Sequence, residues 1–325
     1  MHRKILIILA LTIILIAAGC KTKGNGSDII LEVHTGTDGL VMDFLENAPP
    51  EEVYEDGIVP VYVQMENKGA FDINDGYLAL GYEKSYMSVH SWQTEEPVTN
   101  QLSEDLVQFS LKGKSSSNID GDNKIVNLKL TAGRIEEQSE RHESAILITS
   151  CYKYETEVEE TACVDTDIYN LKKRDKTCEA KDLSLSSQGA PVAVDEIEVK
   201  MLPHMDENKI KPQFIIHAKN EGDGEVIREG SVEKACSSAP LSFDDYNRIT
   251  VKAFLSDKQL DCDLAGESNA GEMRLTEREG YIVCGLEEGI GEEKGTYSTP
   301  LVVLLDYGYT HSISSSVTIK KILTH

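Results

Sequence analysis

Apolar and polar residues alternate along most of this chain with a period of two, in short runs. Such runs occupy Ile29–Val33, Leu40–Phe44, Val59–Glu66, Gly76–Tyr82, Asp105–Leu111 and Ile125–Leu130 in the first half. Val192–Val199, Pro212–Lys219, Ile249–Phe254, Met273–Leu275 and Tyr281–Cys284 continue the pattern in the second. Turn-forming residues separate the runs, and only the charged stretch Arg134–His142 suggests a helical turn. Short strands without an amphipathic helix predict an all-β sandwich.

Two stretches stand out by length. Ala145–Val164 reads as a hairpin with its turn near Thr156–Glu159 and with Tyr152 and Tyr154 on one face. Leu301–Ile319 repeats the design, with Tyr307 and Tyr309 in the equivalent places. An Asn-x-Gly landmark also recurs, as Asn67-Lys-Gly69 and Asn220-Glu-Gly222, each closing a strand and suited to left-handed turn geometry. The intervals agree: 152 − 67 = 85 and 307 − 220 = 87, with Pro50 and Pro203 each 17 residues before their Asn. Landmarks kept at one spacing predict a duplicated domain, at 28–166 and again at 191–325, joined by a linker at 167–190.

The N-terminus has a different character. Met1–Lys4 is basic, Ile5–Ala18 is an uncharged apolar run, and Gly19-Cys20 comes next. The run is too short to span a bilayer comfortably but fits a secretory signal over 1–20. Small residues before Cys20 resemble a lipobox, which would make Cys20 the lipidated end of the mature protein. An uncleaved signal anchor and plain secretion are the other readings, and all three export the chain beyond Cys20. The hydrophilic stretch 21–27 would then be a spacer, with the chain's N-glycosylation sequon at Asn25.

Composition sharpens this picture. The formal charge, 32 − 56 = −24, repels phosphate backbones and excludes nucleic acid as a partner. Beyond Cys20 stand Cys151, Cys163, Cys178, Cys236, Cys262 and Cys284, an even set that reads as three disulfides in an exported protein. Their spacing matches no zinc pattern, so no metal is expected. Side-chain parity in the Ala145–Val164 hairpin puts Cys151 and Cys163 cross-strand on the face away from the tyrosines, which favours that pair together with Cys262–Cys284 and Cys178–Cys236. The rival is Cys163–Cys178, with Cys151 bonded elsewhere.

Few residues suggest a site. Asn118-Ile-Asp120-Gly-Asp122-Asn123 spaces oxygen ligands as a calcium loop does, but Asn123 and Lys129 stand where Gly and Glu belong. A solvated loop is the plainer reading. Tyr86, His90 and Trp92 sit close together and fit either the core of a strand pair or an exposed partner-binding patch. Nucleophile-elbow, Walker, dinucleotide-binding and His-Glu-x-x-His motifs are lacking, so neither catalytic residues nor a cofactor is expected.

The strand ending in Asn-x-Gly and the Tyr-x-Tyr before the last strand resemble immunoglobulin-like modules of the CARDB kind in archaeal and bacterial surface proteins. Gln188–Val194 and Cys151–Thr156 are similar to uncharacterised archaeal membrane-anchored proteins. The resemblance implies two tandem immunoglobulin-like β-sandwich domains after the signal or anchor segment. It further implies a non-enzymatic, extracytoplasmic role on the cell surface: adhesion, spacing, or binding of envelope proteins or glycans, with the membrane reached through the N-terminus. The alternative is a solute- or glycan-binding lipoprotein with its site at the domain junction or the Trp92 loop.

Overall fold

The computed structural model describes residues 33–93, 95–171, 175–237, 239–263 and 271–322. The expected signal segment, Cys20, the sequon at Asn25 and most of the Ile29–Val33 run lie outside the described residues. The described residues form an all-β sandwich architecture of three sheets.

The first half supplies one outer sheet, in the order Leu40–Phe44, Ile58–Asn67, Asn123–Ala132, Met87–Trp92. A second outer sheet comes from the other half: Leu183–Ser184, Val192–Pro203, Lys209–Asn220, Glu279–Gly285 and Asp261–Asp263, with Ile290–Gly291 at the side of Lys209–Asn220. Both halves build the third. Its path runs Lys258–Gln259, Arg248–Leu255, Thr296–Lys320, Arg141–Asp165, Ile73–Tyr82, Leu106–Leu111, Val98–Gln101.

At its centre lie two strands of 25 residues each, paired antiparallel from end to end. Each is about 80 Å long at the usual rise per residue. The hairpin expected at Ala145–Val164 is therefore not formed, and neither is its counterpart near the C-terminus. Thr156–Glu159 stays in the strand because alternation runs through it: Tyr152, Tyr154, Thr156 and Val158 are buried on one side, as are Ala162 and Val164 past an exposed Glu160. That stretch also holds no Gly, Pro, Asn or Asp to supply turn geometry. Arg134–His142 contains no helical turn, and its last two residues open the first long strand.

The alternation explains how three sheets share one core. The matching face of the second long strand buries Leu301, Val303, Leu305, Tyr307, Tyr309, Val317 and Ile319. A single apolar cluster links these residues to both outer sheets. Each long strand begins in one half and ends in the other. Beyond Cys151 the first strand has left its last partner in its own half, Ile73–Tyr82, and lies against 296–310. In return, the end of the second strand lies against 141–150 and takes Glu52–Tyr54 as a parallel neighbour.

The pairing beside the long strands repeats in the two halves, with an insertion in the second. Tyr77–Tyr82 pairs with Cys151–Ile146 as Thr250–Leu255 pairs with Asp306–Leu301. Ahead of Thr250, residues 228–247 form an insertion between the strands Glu225–Ile227 and Arg248–Leu255, including a one-turn helix at Val232–Ala235. It packs on the opposite face of the shared sheet, where Ile227, Val232 and Cys236 form a small second core with Cys151.

The disulfides follow from this geometry. Cys151 bonds Cys236, Cys163 bonds Cys178, and Cys262 bonds Cys284. The favoured Cys151–Cys163 and Cys178–Cys236 pairs are thus wrong, while Cys262–Cys284 forms. Twelve residues apart on one extended strand, Cys151 and Cys163 are separated by about 40 Å. Three disulfides belong to an oxidising, extracytoplasmic compartment.

Candidate functional site

The junction between the halves is the place where their landmarks meet. Tyr152 lies opposite Tyr309 and Tyr154 opposite Tyr307, about a pseudo-twofold axis through the Lys153–Gly308 pair. All four rings are buried and pack edge-on or tilted, with centroids 5.6 to 6.4 Å apart.

Each hydroxyl has a fixed task. Tyr154 donates to Asn67 Oδ1 (3.2 Å) and accepts from the Phe71 N–H (3.4 Å). In the other half Tyr309 donates to Asn220 Oδ1 (3.1 Å) and accepts from the Gly224 N–H (2.8 Å). The two amide groups reach four residues onward, Asn67 Nδ2 to the Phe71 carbonyl and Asn220 Nδ2 to that of Gly224. Tyr152 and Tyr307 accept from the Leu40 and Val192 N–H groups at the start of corresponding strands (3.0 and 3.3 Å). Burial pushes all four phenols up, Tyr309 to about 12.

The Asn-x-Gly landmark thus has a different cause from the one expected. Neither Asn67 nor Gly69 is left-handed. The asparagine is a buried clamp, and the glycine is needed because a Cβ at Gly69 would overlap the Tyr154 hydroxyl. Gly222 stands in the same relation to Tyr309. The four tyrosines and the two asparagines fill the junction as a packed, hydrogen-bonded core. Beside it, the space between Gly39–Val41 and Gly222–Gly224 measures only about 60 Å³.

Tyr86, His90 and Trp92, read as either core or an exposed patch, differ in exposure. Trp92 is 6% exposed, in the core, and its indole N–H donates to the Glu104 carbonyl. Tyr86 is half-buried, stacks on His142 at 3.6 Å and hydrogen-bonds Glu136. His90 alone of the three is exposed. In the Asn118–Asn123 loop the Asp122 carboxylate accepts from the Lys112 N–H and from Asn118 Nδ2, and Asn123 Oδ1 accepts from Gln64 Nε2. Gly121 is required there, at φ +75° and in contact with the Asn67 carbonyl. Among the described residues, no group of three or more His, Cys, Asp or Glu is placed to hold a metal ion.

Two further features lie along the long strands. Leu185–Gln188 and Glu157–Glu160 enclose a cleft of about 340 Å³ lined also by His34. On the face away from the tyrosines, Glu155 stands opposite Asp306, which is held by Lys252 at 2.8 Å. Burial and the Asp306 carboxylate push the Glu155 carboxyl up to about 7.

No family model matches the chain, and no curated protein matches it. Among solved structures, a cohesin from scaffoldin B of Acetivibrio cellulolyticus, in complex with a dockerin, is 13% identical at a TM-score of 0.24. That match covers 35% of this chain and 84% of the cohesin. The CupB6 tip adhesin of Pseudomonas aeruginosa is 9% identical at 0.17, over 88% and 98% of the two chains. The collagen-binding domain of RspB from Erysipelothrix rhusiopathiae is 9% identical at 0.13, over 90% and 99%. Likenesses this distant assign no ligand or partner to this chain.

Proposed function

We propose that the protein is a non-catalytic module of the cell envelope, tethered to the membrane through its N-terminal segment and binding other envelope proteins outside the cell. The observation that carries this reading is the sheet shared by both halves. Its two 25-residue strands are exchanged between the halves, and Cys151–Cys236 clips the insertion of the second half onto a strand of the first. Such a body holds surfaces on its two halves at a constant separation, as a structural or adhesive module requires. The basic, apolar and small-residue pattern before Cys20 supports export with a lipid tether. Solute binding is less well supported, because the junction and Trp92 are both filled by packing.

Fractionation of cells producing the full chain tests the proposal. The expected result is a membrane-bound protein, open to added protease on intact cells, that Cys20→Ser releases into the medium. A Cys20→Ser protein that stays on the membrane replaces the lipid tether with an uncleaved anchor. Recovery inside the cell with free thiols overturns the reading.

A further inference from the structure

The second long strand carries a stretch of open edge. On the side away from the first long strand, residues 301–306 pair with Arg248–Leu255, Gly308–Thr310 with Glu225–Ile227, and 318–320 with Glu52–Tyr54. Among the described residues no strand pairs with His311–Val317 on that side. In an antiparallel ladder, alternate residues turn both backbone groups the same way. The Pro300 carbonyl accepts from the Ser256 N–H and the Thr318 N–H donates to the Glu51 carbonyl, both outward. The even-numbered residues therefore face the open side. Ser312, Ser314 and Ser316 each present one N–H and one C=O there, and all three are exposed.

The pseudo-twofold supplies an internal control. Its offset is 307 − 152 = 155, so His311–Val317 corresponds to Thr156–Ala162. That edge is also without a neighbour, since the first long strand pairs with Ile73–Tyr82 only at 146–151. Exposed Glu157, Glu159 and Glu160 stand where the second strand has Ser312, Ser314 and Ser315. Charges on an edge deter added strands. In a chain with 56 acidic residues, one edge is guarded and its counterpart carries no charge.

The ends of the open stretch select the occupant. Glu225–Ile227 and Glu52–Tyr54 lie in the same column as an added strand and close it above and below. The 25-residue strand of a second copy would run through both, so only a short segment free to turn away at each end fits. Exposed carboxylates mark those ends, Asp223 and Glu225 at one and Glu51 at the other. Half-buried Ile313 borders the core at the centre, where an apolar side chain on an added strand would pack against it.

We infer that His311–Val317 is a strand-addition site for an extended peptide segment of a partner protein, about seven residues long, uncharged and alternately apolar in the middle and basic at its ends. This names the partner class for the binding role proposed above and rests on it.

A fluorescent nonapeptide, Lys-Thr-Val-Thr-Val-Thr-Val-Thr-Lys, is the probe, titrated into the full-length protein and followed by anisotropy and amide hydrogen exchange. Saturable binding is expected, with protection of the Ser312, Ser314 and Ser316 amides. Ser314→Pro removes one of the outward donors, and Ser314→Lys keeps it while adding a charge; each should weaken binding at least tenfold. Glu159→Pro, at the matching place on the guarded edge, should change it less than twofold. A peptide with Glu at both ends should bind at least tenfold more weakly at low salt. Equal binding by wild type and both Ser314 variants overturns the inference, as does a lack of protection at these amides. Self-association in sedimentation that Ser314→Pro abolishes overturns it in favour of a second copy. None of these outcomes depends on the fractionation result, so the site and the cellular location fail separately.

Discussion

Removing single hydroxyls from the central tyrosines tests the junction quantitatively, because the two halves differ in what each removal strands. Tyr309→Phe leaves the Gly224 N–H without its 2.8 Å acceptor and Asn220 Oδ1 without its donor, both in buried surroundings. An unsatisfied buried polar group costs about 1–3 kcal/mol, so two of them place this variant at about 2–6 kcal/mol. Tyr154→Phe costs less. Asn67 Oδ1 still accepts from the Gly69 N–H, and the lost bond to the Phe71 N–H is long at 3.4 Å. About 1–2 kcal/mol is expected there. Tyr169→Phe, on a ring 66% exposed, is the control and should fall within about 0.5 kcal/mol of wild type.

Urea unfolding at neutral pH with the disulfides intact reads these values from midpoints at constant slope. The reasoning is refuted if Tyr154→Phe proves the costlier change. It is also refuted if neither variant differs from Tyr169→Phe.

Two further predictions concern the face away from the tyrosines. Non-reducing peptide mapping should recover Cys151 with Cys236 and Cys163 with Cys178. Replacing Cys151 and Cys236 together by Ser should cost about 4 kcal/mol in the chain-entropy picture, since the bridge closes a separation of 85 residues; an unchanged urea midpoint would contradict it. Glu155 gives a pH dependence. Its folded carboxyl titrates near 7, above the unfolded value, so the protein is most stable below about pH 4.5 in this term and loses that stability as pH rises through 7. Partial exposure limits the loss to about 1 kcal/mol. Glu155→Gln should flatten the profile between about pH 5 and 8, and a profile identical to wild type would show that the Asp306 contact is not felt.

Much of the local structure was legible because alternation is a backbone property. The strands at Leu40–Phe44, Ile58–Asn67, Asn123–Ala132 and Val192–Pro203 follow from period-two patterning. The recurring Asn, Gly and Tyr were legible as landmarks, although their cause was not. A buried amide clamp and a steric requirement for glycine leave the same letters as a tight turn. Trp92 shows the opposite limit, since one aromatic among polar neighbours reads equally as core or surface until its facing sheet is known.

The misread hairpin has a more instructive cause. A polar run inside an apolar stretch suggests a turn when each half is assumed to fold on its own strands. Here the run Glu155–Thr161 is polar because the strand has passed from one half into the other and become an edge. Its inward positions Thr156 and Val158 still serve the core, Glu157 and Glu159 point to the opposite face beside unpaired backbone, and Glu160, of inward parity, is exposed. The corresponding stretch His311–Val317 met the same physical problem and carries Ser-Ile-Ser-Ser-Ser at its centre instead. Solubility alone favours charge at both edges, so the difference between them calls for a separate reason. Occupation of the uncharged edge by a short partner segment supplies that reason, for it would satisfy the six backbone groups that the glutamates guard on the other side.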